Sequence, residues 1–405
     1  MKTVLFLCIL VTHLMSAPAA ANETSSITIA AVFAKTGVAN LMDFQHFRGV
    51  SLAVDEINEH GGLLGKRVEV VELDNQSSAL AAKHAAQEAI NLGVTAVIGA
   101  SWSAHSLAMA PLLEEAGIPM ISPLSTNPEL TLKGEYVFRV CFTDTFQGKV
   151  MAHFAYRDLG ARTAMVLKNV SGVYSMDLGE FFAGTFTELG GRILGEGKYK
   201  EKDLDFSEIL AEVQSKNPQI VFVPGYIRDS ALIMKQAANL GIRTLFLGAD
   251  GWSNKMYELA GSAIDGQYYC THWHPGVSFP QSLKLLKSYD GKYHTELQDS
   301  FAPMAYDAVM VLADAIKRSG VLDRRKIRDA LSETTGFQGA TGTITFDENG
   351  DPVNKDAVIL RFQSQTSAFV KVITPAVAAK DPTVSPDEDK KTATSAERQH
   401  IEEKE

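Results

Sequence analysis

The chain has 405 residues, of which 45% are hydrophobic, 8% aromatic and 21% charged, a composition that excludes disorder, collagen and coiled coil for its bulk. Its 38 Lys and Arg against 48 Asp and Glu give a net charge of −10. That is the wrong sign for holding phosphate backbones, so no nucleic acid is expected as a partner. The length suits two or three domains, each able to bury its own core.

Met1-Lys2 places positive charge ahead of an apolar run over residues 4–15 (VLFLCILVTHLM), and Ala17-Pro18-Ala19 and Ala19-Ala20-Ala21 offer small-x-small cleavage sites. Together they predict a cleaved Sec-type signal over residues 1–21 and a soluble, exported protein. The run is too short to span a bilayer, and Cys8 lacks the small residue that precedes a lipoprotein cysteine.

Residues 26–34 (SITIAAVFA) predict a buried strand, and residues 44–59 a helix stopped by Gly61-Gly62. A strand over 67–73, a helix over 79–92, a strand over 96–100, a helix over 104–116 and a strand over 119–122 follow. After Gly134 the period resumes, with helices near 146–159, 174–189, 206–216 and 228–240 and strands near 163–169, 192–199, 219–226 and 244–250. Such alternation predicts parallel, doubly wound sheets covered by helices on both faces. Helices are expected over 281–297, 303–319 and 324–334. Residues 342–346 and 357–363 are expected to pair as antiparallel strands about the turn DENGD, with Asn349-Gly350 supplying the bend. The 30 residues after Pro375 hold 8 acidic and 5 basic side chains and no aromatic, which predicts a disordered charged tail over 375–405.

Beyond the signal, Cys141 and Cys270 each sit in an apolar run that reads as a strand; a disulfide and two buried free thiols both suit that pattern. Two segments, AVIGASWSAHSLAMAPLLEEAGIPMISP and IVFVPGYIRDSALIMKQAANLGIRTLFLGAD, share the order strand, Gly-turn, helix and then Gly-Ile before another strand. The shared plan predicts two similar lobes, with a ligand between them beyond the carboxyl ends of the strands.

The run RGVSLAVDEINEHGGLLGKRVEVVELDNQ, the segment VIGASWSAHSLAMAPLLEEAGIPMISPLSTNPELT and the pair VPGY and LGAD resemble the periplasmic amino-acid-binding proteins of the leucine/isoleucine/valine type, the substrate-binding components of ABC transporters. The resemblance covers residues 26–374. It implies an α/β fold of two doubly wound parallel-sheet lobes joined by three crossover strands, the class I periplasmic binding protein fold, closing on an amino acid about a hinge. Carried onto this chain, the crossovers fall near Cys141, Cys270 and residues 338–346. One lobe then comprises 24–141 with 271–340, the other 142–270 with 341–374. The same resemblance implies an ABC transporter permease as partner, a monomer, and no cofactor.

A ligand carboxylate needs converging hydroxyls and backbone amides where a helix begins. Ser103 lies just before the helix expected from Ala104, and Ser125-Thr126 follows a strand. The resemblance assigns Ser103, Thr126 and the backbone around Leu124 to the carboxylate and part of the ammonium; caps and turn residues are the plainer alternative. Asp250, ending TLFLGAD, matches the family's acidic position for the ammonium, as Asp where Glu is common. Its alternative is a cap on a helix near Asn254. Tyr174 and Tyr226 match tyrosines that close over the ligand, against ordinary half-buried tyrosines. Met42 stands where the family usually has an aromatic, Trp102 where it often has a small residue, and Trp252 follows Asp250 and Gly251. The three are expected to line an apolar pocket favouring an aliphatic or aromatic side chain, with packing of the tryptophans into their own lobes as the alternative.

No Gly-x-Ser-x-Gly elbow, Gly-x-Gly-x-x-Gly turn or Walker loop is present, and His272-Trp273-His274 has no acidic or Cys neighbour at metal-binding spacing. Neither catalysis nor a metal is expected. The competing readings are a binder of an amide, urea or aromatic carboxylate, a sensory receptor domain, and a secreted hydrolase.

Overall fold

The computed structural model describes residues 26–277 and 279–375; the expected signal and the expected tail beyond Pro375 lie outside them. The chain opens as β1 (Ile27–Phe33), α1 (Asn40–Glu59), β2 (Val68–Asp74), α2 (Ala79–Asn91), β3 (Ala96–Gly99), α3 (Ser103–Glu115), β4 (Met120–Ser122) and β5 (Val137–Arg139). Its strands form a parallel sheet in the order β2-β1-β3-β4-β5. β1 and β3 are buried almost throughout, as their unbroken apolar runs require when helices cover both faces.

A second series follows: α4 (Asp144–His153), β6 (Thr163–Asn169), α5 (Val173–Glu188), β7 (Arg192–Tyr199), α6 (Ser207–Lys216), β8 (Ile220–Phe222), α7 (Ile227–Asn239), β9 (Leu245–Gly248), α8 (Met256–Ala260) and β10 (Tyr268–Thr271). Then come α9 (Pro280–Tyr293), α10 (Phe301–Ser319), α11 (Arg324–Ser332), β11 (Phe337–Gly339), β12 (Gly342–Ile344), β13 (Ala357–Gln363) and β14 (Thr366–Ile373). The second sheet has the order β14-β13-β10-β9-β8-β6-β7. It is parallel from β7 to β10 and antiparallel at β13 and β14.

One expectation changes here. Residues 342–346 do not pair with 357–363: β12 pairs with β11, and β13 inserts between β10 and β14. DENGD does form a tight turn, closed by the Gly350 amide donating to the Asp347 carbonyl (3.1 Å), the Asp347 amide donating to the Asp351 carbonyl (2.8 Å) and the isolated Phe346–Pro352 bridge. The hairpin that exists, β13 to β14, turns on Ser364 (φ 52°) and Gln365 (φ 72°). Two consecutive positive-φ residues are what a two-residue hairpin needs, and Gly or Asn normally supplies them. Their absence hid the turn from sequence reasoning.

The chain passes between the sheets three times: after β5, after β10, and between β12 and β13. Cys270 lies inside β10, paired in the second sheet, so the second passage begins just beyond it. The third follows the β11–β12 hairpin rather than running through residues 338–346. Between the last two passages, α10 returns to the first sheet and lies along α1. At their crossing, a Cβ on Gly49 would stand 2.1 Å from the Ala302 carbonyl oxygen, so glycine alone fits.

Candidate functional site

The carboxyl ends of both sheets face one cleft, and the turns there carry the site. From the first lobe, Trp102 occupies the N-cap position of α3 and Ser103 its first turn, both buried. Ser103 Oγ accepts the Asn127 amide at 3.3 Å, which draws the loop after β4 against the helix start. Arg139, fully buried at the end of β5, fixes that loop from behind. Its Nη1 donates to the carbonyls of Ser125 (2.9 Å) and Asn127 (2.8 Å), and its Nε to Asp351 Oδ1 (2.5 Å). Leu124 and Thr126 are thereby held, both buried, beside the α3 amides. A hydroxyl next to a helix N-terminus is the environment a carboxylate takes.

The second lobe presents the opposite electrostatics. Asp250, two residues beyond β9, accepts Tyr174 Oη on Oδ1 (2.8 Å) and meets His272 Nε2 at Oδ2 (3.1 Å). It does not cap the helix near Asn254. Asp144, at the start of α4, accepts Gln147 Nε2 on Oδ1 (2.6 Å), while its Oδ2 is buried with no hydrogen-bond partner among the described residues. Burial first, and the Asp250 charge second, push the Asp144 carboxyl up to about 8, against the pull of Thr126, Gln147 and Arg139. Thr126 approaches closely enough to act on it, yet Thr126 Oγ1 likewise lacks a partner of good geometry. Burial also raises the Tyr174 phenol well above its ordinary value, the Asp250 charge adding to this, so it stays a neutral donor. Arg139 is committed to Asp351 and to backbone carbonyls. Two buried carboxyl groups therefore share a corner to which no cation among the described residues is dedicated, an arrangement that favours a cationic ligand group.

Aromatic rings close the cleft. Tyr226, at the N-cap of α7, stacks on Trp102 from the other lobe with centroids 3.8 Å apart and planes within 3°. Tyr174 lies beyond Tyr226 at 5.0 Å, and His105 beneath Trp102 at 5.4 Å. Trp102 Nε1 donates to Met42 Sδ at 3.1 Å. Asn127 Nδ2 reaches Asp177 Oδ2 across the lobes at 2.7 Å. The space beside Trp102, Met42 and Tyr226 is about 10 Å³, the room of a single water.

Over residues 26–367 the chain matches the family described as periplasmic binding protein. It belongs to that family. This periplasmic binding protein is 28% identical over 345 residues to the leucine-, isoleucine-, valine-, threonine- and alanine-binding protein of Pseudomonas aeruginosa, covering 84% of this chain and 91% of that one. Among solved structures, a leucine-binding protein LivK from Thermotoga maritima superposes with TM-score 0.83 at 39% identity, covering 86% of this chain and 99% of that one. The branched-chain amino acid transporter substrate-binding protein LivJ from Streptococcus pneumoniae, in complex with isoleucine, gives TM-score 0.82 at 29% identity, covering 87% and 100%.

Of the residues singled out in sequence, the periplasmic binding protein brings Met42, Trp102, Ser103, Leu124, Thr126, Tyr174, Tyr226 and Asp250 to the cleft region. Trp252 is the correction. Its ring turns into the second lobe, stacking on Phe362 at 6.1 Å and near Tyr269 at 6.3 Å, and is 1% exposed. Gly248 makes room for it, since a Cβ there would lie 2.1 Å from the indole. Sequence reasoning missed Asp144, Gln147, Arg139 and His272, none of which carries a local motif. Cys141 and Cys270 are buried free thiols. Cys141 Sγ faces the Ser125 carbonyl and Cys270 Sγ faces Gln147 Oε1, and burial raises both pKa values. Among the described residues, no cluster of His, Cys, Asp or Glu is arranged to hold a metal, and no helix is long and apolar enough to cross a membrane.

Proposed function

We propose that this protein captures an α-amino acid with an apolar side chain between its lobes, closing on it about the three passages, and delivers it to an ABC transporter permease. The observation that carries the reading is the polarity of the cleft: the start of α3 with the Ser103 hydroxyl on one side, the Asp144–Asp250 pair with its unpartnered oxygen on the other, and the Thr126 hydroxyl between them against Asp144. A zwitterion satisfies both ends at once. Met42, Trp102 and Tyr226 give the cleft an apolar wall, and leucine and isoleucine are the ligands named for relatives of this fold; with about 10 Å³ left beside them, the lobes must part to admit such a side chain. The protein acts as an exported monomer that binds rather than catalyses, its lobes divided near residues 141 and 271 and again between β12 and β13.

The test pairs two ligands of one shape. Calorimetry with L-leucine and with 4-methylpentanoate, which lacks the amine, is run on wild type and Asp250→Asn. Stranding the ammonium is expected to weaken leucine by about 2–5 kcal/mol, with much less change for 4-methylpentanoate. Equal losses, or none, would show that Asp250 is structural and favour a carboxylate-only ligand.

A further inference from the structure

We propose that His272 is a positioning residue: a neutral imidazole that orients the Asp250 carboxylate toward the ligand ammonium and ties it to the passages between the lobes. This rests on the amino-acid reading above and concerns a residue that reading does not use.

His272 is the first residue after β10, where the second passage begins, and its ring is buried. Nε2 lies 3.1 Å from Asp250 Oδ2. Nδ1 is buried with no partner among the described residues, so the tautomer that places the proton on Nε2 is the one that makes a hydrogen bond. One face of the ring lies against Phe142, in the first passage, with centroids 3.7 Å apart. Lys355, in the third passage, is buried and bonds Thr341 Oγ1 at 2.7 Å. Burial, together with the Lys355 charge, holds the imidazole pKa below its ordinary value despite Asp250. One side chain thus joins the binding carboxylate to the first and second passages, with Lys355 of the third acting on it through charge alone.

Neutrality is the chemical point. Asp250 has both oxygens taken by uncharged donors, Tyr174 Oη and His272 Nε2. A Lys or Arg at position 272 would fix the carboxylate equally well but cancel the charge that the ligand ammonium needs. A phenol and a neutral imidazole fix its direction and leave that charge in place. They also reconcile the site with an Asp at position 250: two hydrogen bonds hold the short side chain against rotation.

Two variants separate the ring from the donor. His272→Phe keeps a ring over Phe142 and loses the N–H; His272→Gln keeps a side-chain N–H of similar reach and loses the ring. Calorimetry with L-leucine and 4-methylpentanoate is read beside the melting temperature. His272→Phe is expected to bind leucine at least about tenfold more weakly, with 4-methylpentanoate little changed and the melting temperature near wild type, and His272→Gln is expected to recover most of the loss. Leucine binding by His272→Phe equal to wild type, or a parallel loss of both ligands with a fall in melting temperature, would overturn the proposal. A ligand-free arm separates this from the function itself: imidazole ¹⁵N spectra of the unliganded protein should show the Nε2–H tautomer, neutral at pH 7, and a changed Nε2 signal in Asp250→Ala. An Nδ1–H tautomer or an imidazolium overturns it whatever the ligand is. Failure of wild type to bind any amino acid, with the expected tautomer in place, would instead refute the amino-acid reading.

Discussion

Replacing Asp144 with asparagine separates what ligand binding requires from what the fold prefers. The carboxyl is fully buried, and burial with the Asp250 charge moves its pKa from 3.8 to about 8. Between those values the folded protein retains a proton that the unfolded chain has released. More protons bound when folded means that stability falls as pH rises, by about 1.4 kcal/mol per pH unit, and levels off once the folded carboxyl also ionises. At pH 7 roughly three units have accumulated, so this one group costs the unliganded protein on the order of 4 kcal/mol. Asparagine has the same shape and does not titrate. Asp144→Asn is therefore expected to match wild type near pH 4, to exceed it increasingly toward pH 8, and to bind leucine at least about thirtyfold more weakly. Urea unfolding of the unliganded proteins across that range measures the first effect, and calorimetry the second. A stability difference that stays flat with pH, or that reverses sign, would refute the burial argument. Unchanged leucine affinity would remove Asp144 from the site.

Two other substitutions probe the scaffold behind the site. Arg139→Met should destabilise by about 3–5 kcal/mol, because Asp351 and the carbonyls of Ser125 and Asn127 lose their donor; leucine affinity should fall with it, and a variant with wild-type melting temperature and affinity would show that the loop holds itself. Gly49→Ala should cost about 3 kcal/mol, because the added Cβ meets the Ala302 carbonyl oxygen of α10. A shift in melting temperature of under a degree would mean that α1 and α10 separate without resistance.

Most of the architecture was legible because it is written locally. Helix periodicity and the stop at Gly61-Gly62 act within a few residues. Apolar runs of four to seven residues such as β1 and β3 declare burial on both faces. What failed did so for nonlocal reasons. The β13–β14 hairpin turns on Ser364 and Gln365, whose positive φ no composition rule announces, and β13 chooses β10 as a neighbour because the second sheet offers an edge there.

The same division runs through the site. Ser103 and Thr126 could be picked out beside a helix start and a strand end, but their roles, and the choice of Asp250, came from the family resemblance. Trp102 and Trp252 gave equal signals, each following a strand and its turn, yet one faces Tyr226 across the cleft and the other Phe362 inside a lobe. Burial is a property of the assembled sheets, and no neighbour in sequence records it. Asp144 and His272 are the clearest cases. Their roles arise from an unpartnered oxygen and from a carboxylate 22 residues away. The sequence by itself determined the order of strands and helices, because those preferences are set by backbone dihedrals and spacing. Only the tertiary structure decided which charges lie buried together, because desolvation and Coulomb energy depend on distances that folding alone creates.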